Sequence, residues 1–118
     1  MTKLIQELMD RQKAWSDKTF DHGKFTYHRS LPLSYHLQKE SKELTETLHN
    51  YLKDPDENSL KEVTEQLADC FLLLLDCTAH VGYRVDSLLQ FAEAKFSVNL
   101  TREWGLPDQN GVVEHIKS

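Results

Sequence analysis

Glu40 and Glu43 stand three residues apart in the stretch YHLQKESKEL, at 35–44. Twenty-two residues beyond Glu43, EQLADCFLLLLDC begins at Glu65 and carries Gln66, Asp69 and Asp76. Both stretches are rich in leucine, so carboxylates are being aimed at what the pattern makes an apolar face. Glu-x-x-Glu by itself is common on solvated helix surfaces. Asp69 is more telling, because it abuts the six-residue apolar run from Cys70 to Leu75. On a helix, Glu62, Glu65 and Gln66 lie within about 60° of the direction of Asp69. If the two acidic faces meet, two like charges 5 Å apart cost about 3 kcal/mol at an effective dielectric of ~20. Protonation, interleaved bases or a divalent cation must compensate. Oxygen ligands without cysteine or histidine suit Mg²⁺ or Mn²⁺, and a cation that keeps open positions suits phosphoryl chemistry.

Other chemistries fit less well. Di-iron bundles use Glu-x-x-His twice, and only Glu46-Thr-Leu-His49 matches. No P-loop, Gly-x-Ser-x-Gly elbow or His-Glu-x-x-His is present. Cys70 and Cys77 are seven apart on one helix, about 10 Å, too far for a disulfide, and reduced thiols fit a cytoplasmic protein. Of the six histidines, His36 is singled out, one turn before Glu40.

The elements that position these groups read as helices. Glycine (4) and proline (3) are scarce, and apolar residues recur at three and four rather than alternating. A first helix is expected from Lys3 to Trp15 with Thr2 as its cap, and an irregular stretch over 16–32. A second helix is expected from Pro32 at its first turn to Leu52, then a turn at Pro55. The third runs from Ser59 or Leu60 to His80 and stops at Gly82. Its Cys70–Leu75 segment is apolar on every side, which predicts a buried central helix. A fourth helix starts after Val85, capped by Asp86 or Ser87, and ends near Trp104. A short connection between the second and third predicts antiparallel packing. The length of 118 residues suits one domain, 1–118. A net charge of −5 without a basic stripe argues against a nucleic-acid polymer as partner. No run approaches the ~20 apolar residues of a membrane span, and the N-terminal stretch lacks the hydrophobic core of a signal peptide.

Taken together, the Glu-x-x-Glu helix, the 65–77 helix, Trp15 with Thr19 and Phe20, the Arg29–Glu40 stretch and AKFSVNLTREWGLPDQNGVVEH at 94–115 resemble the MazG-like all-α nucleoside triphosphate pyrophosphohydrolases. The branch most similar is the dATP/dGTP pyrophosphohydrolases. The resemblance implies a four-to-five-helix bundle of antiparallel helices that assembles as a homodimer or homotetramer. It implies cleavage of a (deoxy)nucleoside triphosphate to monophosphate and pyrophosphate with Mg²⁺, or Mn²⁺, as cofactor. Glu40, Glu43 and Asp69 match its catalytic and metal-binding acids. The position three before Asp69 is an acid in the family and Gln66 here. Gln66 would be a weak, neutral metal ligand, and the departure leaves three readings: Glu65 or Glu62 takes over as ligand, fewer metals bind, or the glutamine is a deliberate replacement that traps substrate. The last would leave a nucleotide-binding or interaction bundle. Lys95, Asn99 and Arg102 recur at i, i+4 and i+7 on the fourth helix, a sensible phosphate-facing set. With His36 and Trp15 they are the expected substrate contacts.

Overall fold

The computed structural model describes residues 1–20 and 26–117. Four helices account for most of them: α1 (Thr2–Phe20), α2 (Thr26–Lys53), α3 (Glu57–His80) and α4 (Val85–Thr101). The chain is all-α among the described residues, apart from an isolated antiparallel bridge between Trp104 and His115. It divides into two compact units, 1–85 and 86–118.

In the first unit, α1 and α2 both pack against α3. The α2–α3 connection is only Asp54, Pro55 and Asp56, which folds the two helices back on each other. Asp56 ends the turn with an extended backbone, φ −146°. Its carboxylate accepts from the Ser59 N–H at 2.8 Å, while the Ser59 hydroxyl accepts from the Asp56 N–H at 3.0 Å. This reciprocal cap satisfies backbone donors that a helix start otherwise leaves unpaired. At the other end α3 stops at Val81 and Gly82, whose φ of +90° a side chain rarely tolerates.

The core of this unit joins Met9 of α1, Leu75 of α3 and Val85, with Ile5, Leu8 and Ala79 packed around them. Leu33 of α2 and Val63 and Leu73 of α3 are buried as well. The Gln6 side chain accepts from the Val85 N–H at 2.7 Å and donates to Asp10 at 2.8 Å, tying α1 to the last residue of this unit.

Several boundaries differ from the sequence reading. α1 continues past Trp15 to Phe20, and α2 begins at Thr26, six residues before Pro32. Pro32 therefore sits inside α2. Seventh in the helix, it lies beyond the first four N–H groups that a helix start leaves free, so it removes a main-chain hydrogen bond and marks no start. The 16–32 stretch is helical wherever it is described, while its centre, 21–25, lies outside the described residues. Thr2 opens α1 from within the helix, Asp86 and Ser87 lie inside α4, and α4 ends at Thr101. The expectation that Cys70–Leu75 is buried on every side does not hold in the single chain, where Phe71 and Leu74 are 44% and 49% exposed.

In the second unit, the chain after α4 doubles back. Gly105 N–H donates to the Glu114 carbonyl at 2.9 Å and Ile116 N–H to the Glu103 carbonyl at 2.7 Å. The Asp108 carboxylate holds the turn by accepting from the N–H groups of Asn110 and Val112 at 2.8 and 2.9 Å. No helix among the described residues is long and apolar enough to cross a membrane.

Removing the α3 cap has a predictable cost. Asp56→Ala is expected to lower stability by about 1 kcal/mol, read as a lower urea midpoint with an unchanged slope.

Candidate active site

Helix α2 carries Glu40 and Glu43, and α3 faces it with Gln66, Asp69 and Cys70. Leu33 on α2 and Val63 and Leu73 on α3 are buried, which fixes the rotation of both helices. That rotation brings buried Gln66 to Glu40. Its Nε2 donates to the Glu40 main-chain carbonyl at 3.0 Å and also to the Glu40 carboxylate. From the other side, His36 Nε2 lies 3.2 Å from Glu40 Oε1, one helical turn back.

These contacts set the charge of the pair. The hydrogen bond from Gln66 is the main influence holding the Glu40 carboxyl below its usual range. Partial burial opposes it, while Glu43 and His36 add to it. Glu43 is pushed the opposite way, first by its hydrogen bond to Glu40, then by the charge of Glu40 and, more weakly, by burial and the charges of Glu46 and Asp69. Two neighbouring carboxyls cannot both ionise freely, so Glu43 gives up its proton at higher pH than Glu40 does. Asp69 is exposed on α3. Cys70 is half-buried, and burial, then Glu40, then Asp69 push its thiol up. It belongs to the same electrostatic neighbourhood, which its position beside Asp69 in sequence alone suggests.

The remaining sequence-selected residues fall elsewhere. Glu65 is exposed and lies 3.6 Å from Lys61 in an i, i+4 ion pair. Glu62 lies near the α2–α3 turn, lining a cavity with Asn50, Lys53, Asp54 and Ser59. Trp15 is on α1, edge-on to Phe20 with ring centroids 5.5 Å apart. Lys95 and Asn99 stand on α4 and Arg102 just beyond it, in the second unit. There the Arg102 guanidinium donates to Asn99 Oδ1 at 3.3 Å.

Among the described residues, no group of three or more His, Cys, Asp or Glu side chains is gathered closely enough to cage a metal. The donor set still fits a hard cation in a more limited way. Mg²⁺ is commonly held by one or two carboxylates with water and substrate phosphates completing its shell. Glu40 and Glu43 are such a pair, and the repulsion that raises Glu43 marks a place where positive charge is wanted.

Comparison with known families bears on the same residues. The model of the family described as dATP/dGTP pyrophosphohydrolase matches residues 8–118, all but the first seven. The chain belongs to this family. No curated protein and no solved structure gives a significant match. The match takes in α2, α3 and the returning tail alike, so the carboxylate pair of this pyrophosphohydrolase family member lies within it.

Two measurements follow from the charge analysis. The pair gains its second negative charge only as pH rises through the raised titration of Glu43. Bound Mg²⁺ must displace that proton. The rise in melting temperature on adding Mg²⁺ should thus be small at about pH 4.5 and grow toward about pH 7. A pH-independent rise would place the cation away from this pair. Gln66→Glu replaces a donor to Glu40 by another acid. Without metal it should lose about 1–3 kcal/mol, and its stabilisation by Mg²⁺ should exceed that of the unaltered protein.

Proposed function

We propose that the chain hydrolyses dATP and dGTP to the monophosphate and pyrophosphate. The observation that carries this reading is the paired, oppositely perturbed carboxyls of Glu40 and Glu43, within a chain that belongs to the dATP/dGTP pyrophosphohydrolase family. On this reading water attacks the α-phosphorus. The water's proton must go to a base, and the α–β bridging oxygen leaves with pyrophosphate. Glu43 is the better base of the two, because a carboxylate whose proton affinity is raised takes a proton more readily near neutrality. Glu40, held ionised by the Gln66 amide and His36, stays an anion. Mg²⁺ or Mn²⁺ held by Glu40, Glu43 and Asp69 would neutralise the triphosphate and favour ionisation of the water. Gln66 acts on this reading as the positioning group for Glu40, with its amide committed to that contact. Glu65, on its side of α3, is a reserve ligand at most.

On the substrate side, Leu31, Pro32, Tyr35, His36 and Lys39 line an open groove of about 360 Å³ on α2. His36 joins this groove to Glu40 one helical turn on, and Tyr35 would offer a ring on which the base can stack. Trp15, Lys95, Asn99 and Arg102 remain proposed contacts, the last three for phosphate. The chain is proposed to work as one domain, in the cytoplasm, as a homodimer or homotetramer. Leu60, Leu67, Phe71 and Leu74 on α3 stay exposed in the single chain and offer an apolar surface for association.

A second reading is a bundle that binds the nucleotide and turns it over poorly. What favours it is Gln66, whose amide donates where the family pattern has an acid.

Incubation with Mg²⁺ and each deoxynucleoside triphosphate, followed by ion-exchange separation, tests the proposal. Monophosphate and pyrophosphate in equal amounts are expected, with the purine substrates ahead. Diphosphate and orthophosphate would overturn the α-phosphorus chemistry, and binding without products would favour the second reading. Glu43→Gln should lower kcat by about 10²–10⁴-fold, while Tyr35→Ala should act chiefly on KM.

A further inference from the structure

A second cluster of charge lies deep in the first unit, away from Glu40 and Glu43. His80, at the end of α3, is fully buried, and Asp76 one turn earlier is 1% exposed. His80 Nδ1 lies 2.8 Å from the Asp76 main-chain oxygen and 2.9 Å from Asp76 Oδ1. His80 Nε2 lies 2.6 Å from Oδ1 of Asp17 on α1. Lys13, also on α1, donates to the other Asp17 oxygen at 2.7 Å, and Gln12 donates to Asp76 Oδ2 at 3.3 Å. From α2 the nearest charge is Arg29, which donates to buried Ser16, the neighbour of Asp17, at 3.0 Å.

The acceptors fix where the protons are. A main-chain carbonyl can only accept, so Nδ1 must carry a hydrogen. Asp17 is held as a carboxylate. Burial works against its ionisation, and the hydrogen bonds and charges of Lys13 and His80 outweigh it. A carboxylate also only accepts, so Nε2 must carry a hydrogen too. Both ring nitrogens protonated means an imidazolium. Its charge also answers Asp76, whose buried Oδ1 has no hydrogen bond of its own. The charge of Asp76 is felt nearby as well, since after burial it is what raises the Cys77 thiol.

We propose that His80 is a charged latch, its doubly protonated ring holding α1 onto α3 by bridging Asp17 and Asp76. Neutral His80 would set a lone pair against an acceptor oxygen on one side or the other, and two carboxylates would face each other without a cation between them. Acid weakens the latch once Asp17 is protonated below its lowered range. The device is independent of nucleotide hydrolysis and stands or falls apart from it.

Two experiments decide the matter. Nitrogen-detected NMR of the unaltered protein at about pH 7.5 should show hydrogens on both nitrogens of His80. A ring with one bare nitrogen overturns the proposal. Hydrogen exchange of the α1 amides, measured at one pH, should lose protection at least several-fold in Asp17→Asn relative to the unaltered protein. The amides at the α2–α3 contact should hold theirs. Equal loss in both places, or none in α1, overturns the latch. His80→Gln should lose α1 protection at least as far. Should that variant fail to fold, the NMR of the unaltered protein and the exchange of Asp17→Asn still decide for or against the latch.

Discussion

The carboxylate site depends on the contact between the Gln66 amide and Glu40. Gln66 is buried, so its amide must find an acceptor inside the protein or lose hydrogen bonds that water would have given. Glu40 supplies two, its carboxylate and its main-chain oxygen. The contact thus serves both helices. It satisfies α3's buried amide, and it fixes which of two neighbouring acids on α2 ionises first. Everything else about the pair, including the raised titration of Glu43, follows from that asymmetry.

Apolar packing makes the asymmetry possible. Leu33 from α2 and Val63 and Leu73 from α3 set the rotation of the helices, and the Asp56–Ser59 cap sets where α3 begins. A shift of one residue along α3 would rotate Gln66 by about 100° and leave Glu40 facing a different side chain. The short turn with its reciprocal cap keeps the register. Local backbone chemistry at 54–59 is in this way coupled to the charge state of a residue far along α2.

Much of this was legible from the residues. The spacing of Glu40, Glu43 and Asp69 placed them on faces of α2 and α3 that meet, and the three-and-four periodicity gave the all-α class. Gly82 marked the end of α3. The direction of Gln66 was not legible. Spacing shows that it faces α2, whereas only the packed helices show that its amide donates to Glu40. The compensation for Asp76 was also hidden. Its place in an apolar run announces that something must answer its charge. His80 is a local candidate, but Gln12 and Asp17 come from α1, more than 55 residues away in sequence, and no periodicity reports such a contact. Helix starts slipped for a related reason. Pro32 suits the first turn of a helix, but packing carries α2 upstream through it to Thr26 at the loss of a main-chain hydrogen bond.

The first unit therefore meets the same electrostatic problem twice and solves it differently, and exposure decides which way. Glu40 and Glu43 sit at the edge of the α2–α3 contact, where solvent reaches them. Glu43 can give up its proton there, and a hydrated divalent cation can take its place at little cost, because few waters must be stripped from it. Asp17 and Asp76 meet at a point where His80 is fully buried. No hydrated ion can enter without opening the core, and two bare carboxylates there would be prohibitively costly. The cation must then be part of the chain, and a histidine whose nitrogens both face oxygens provides it. The first arrangement leaves a place for an exchangeable ligand. The second fastens one helix to another and makes that fastening depend on a single proton.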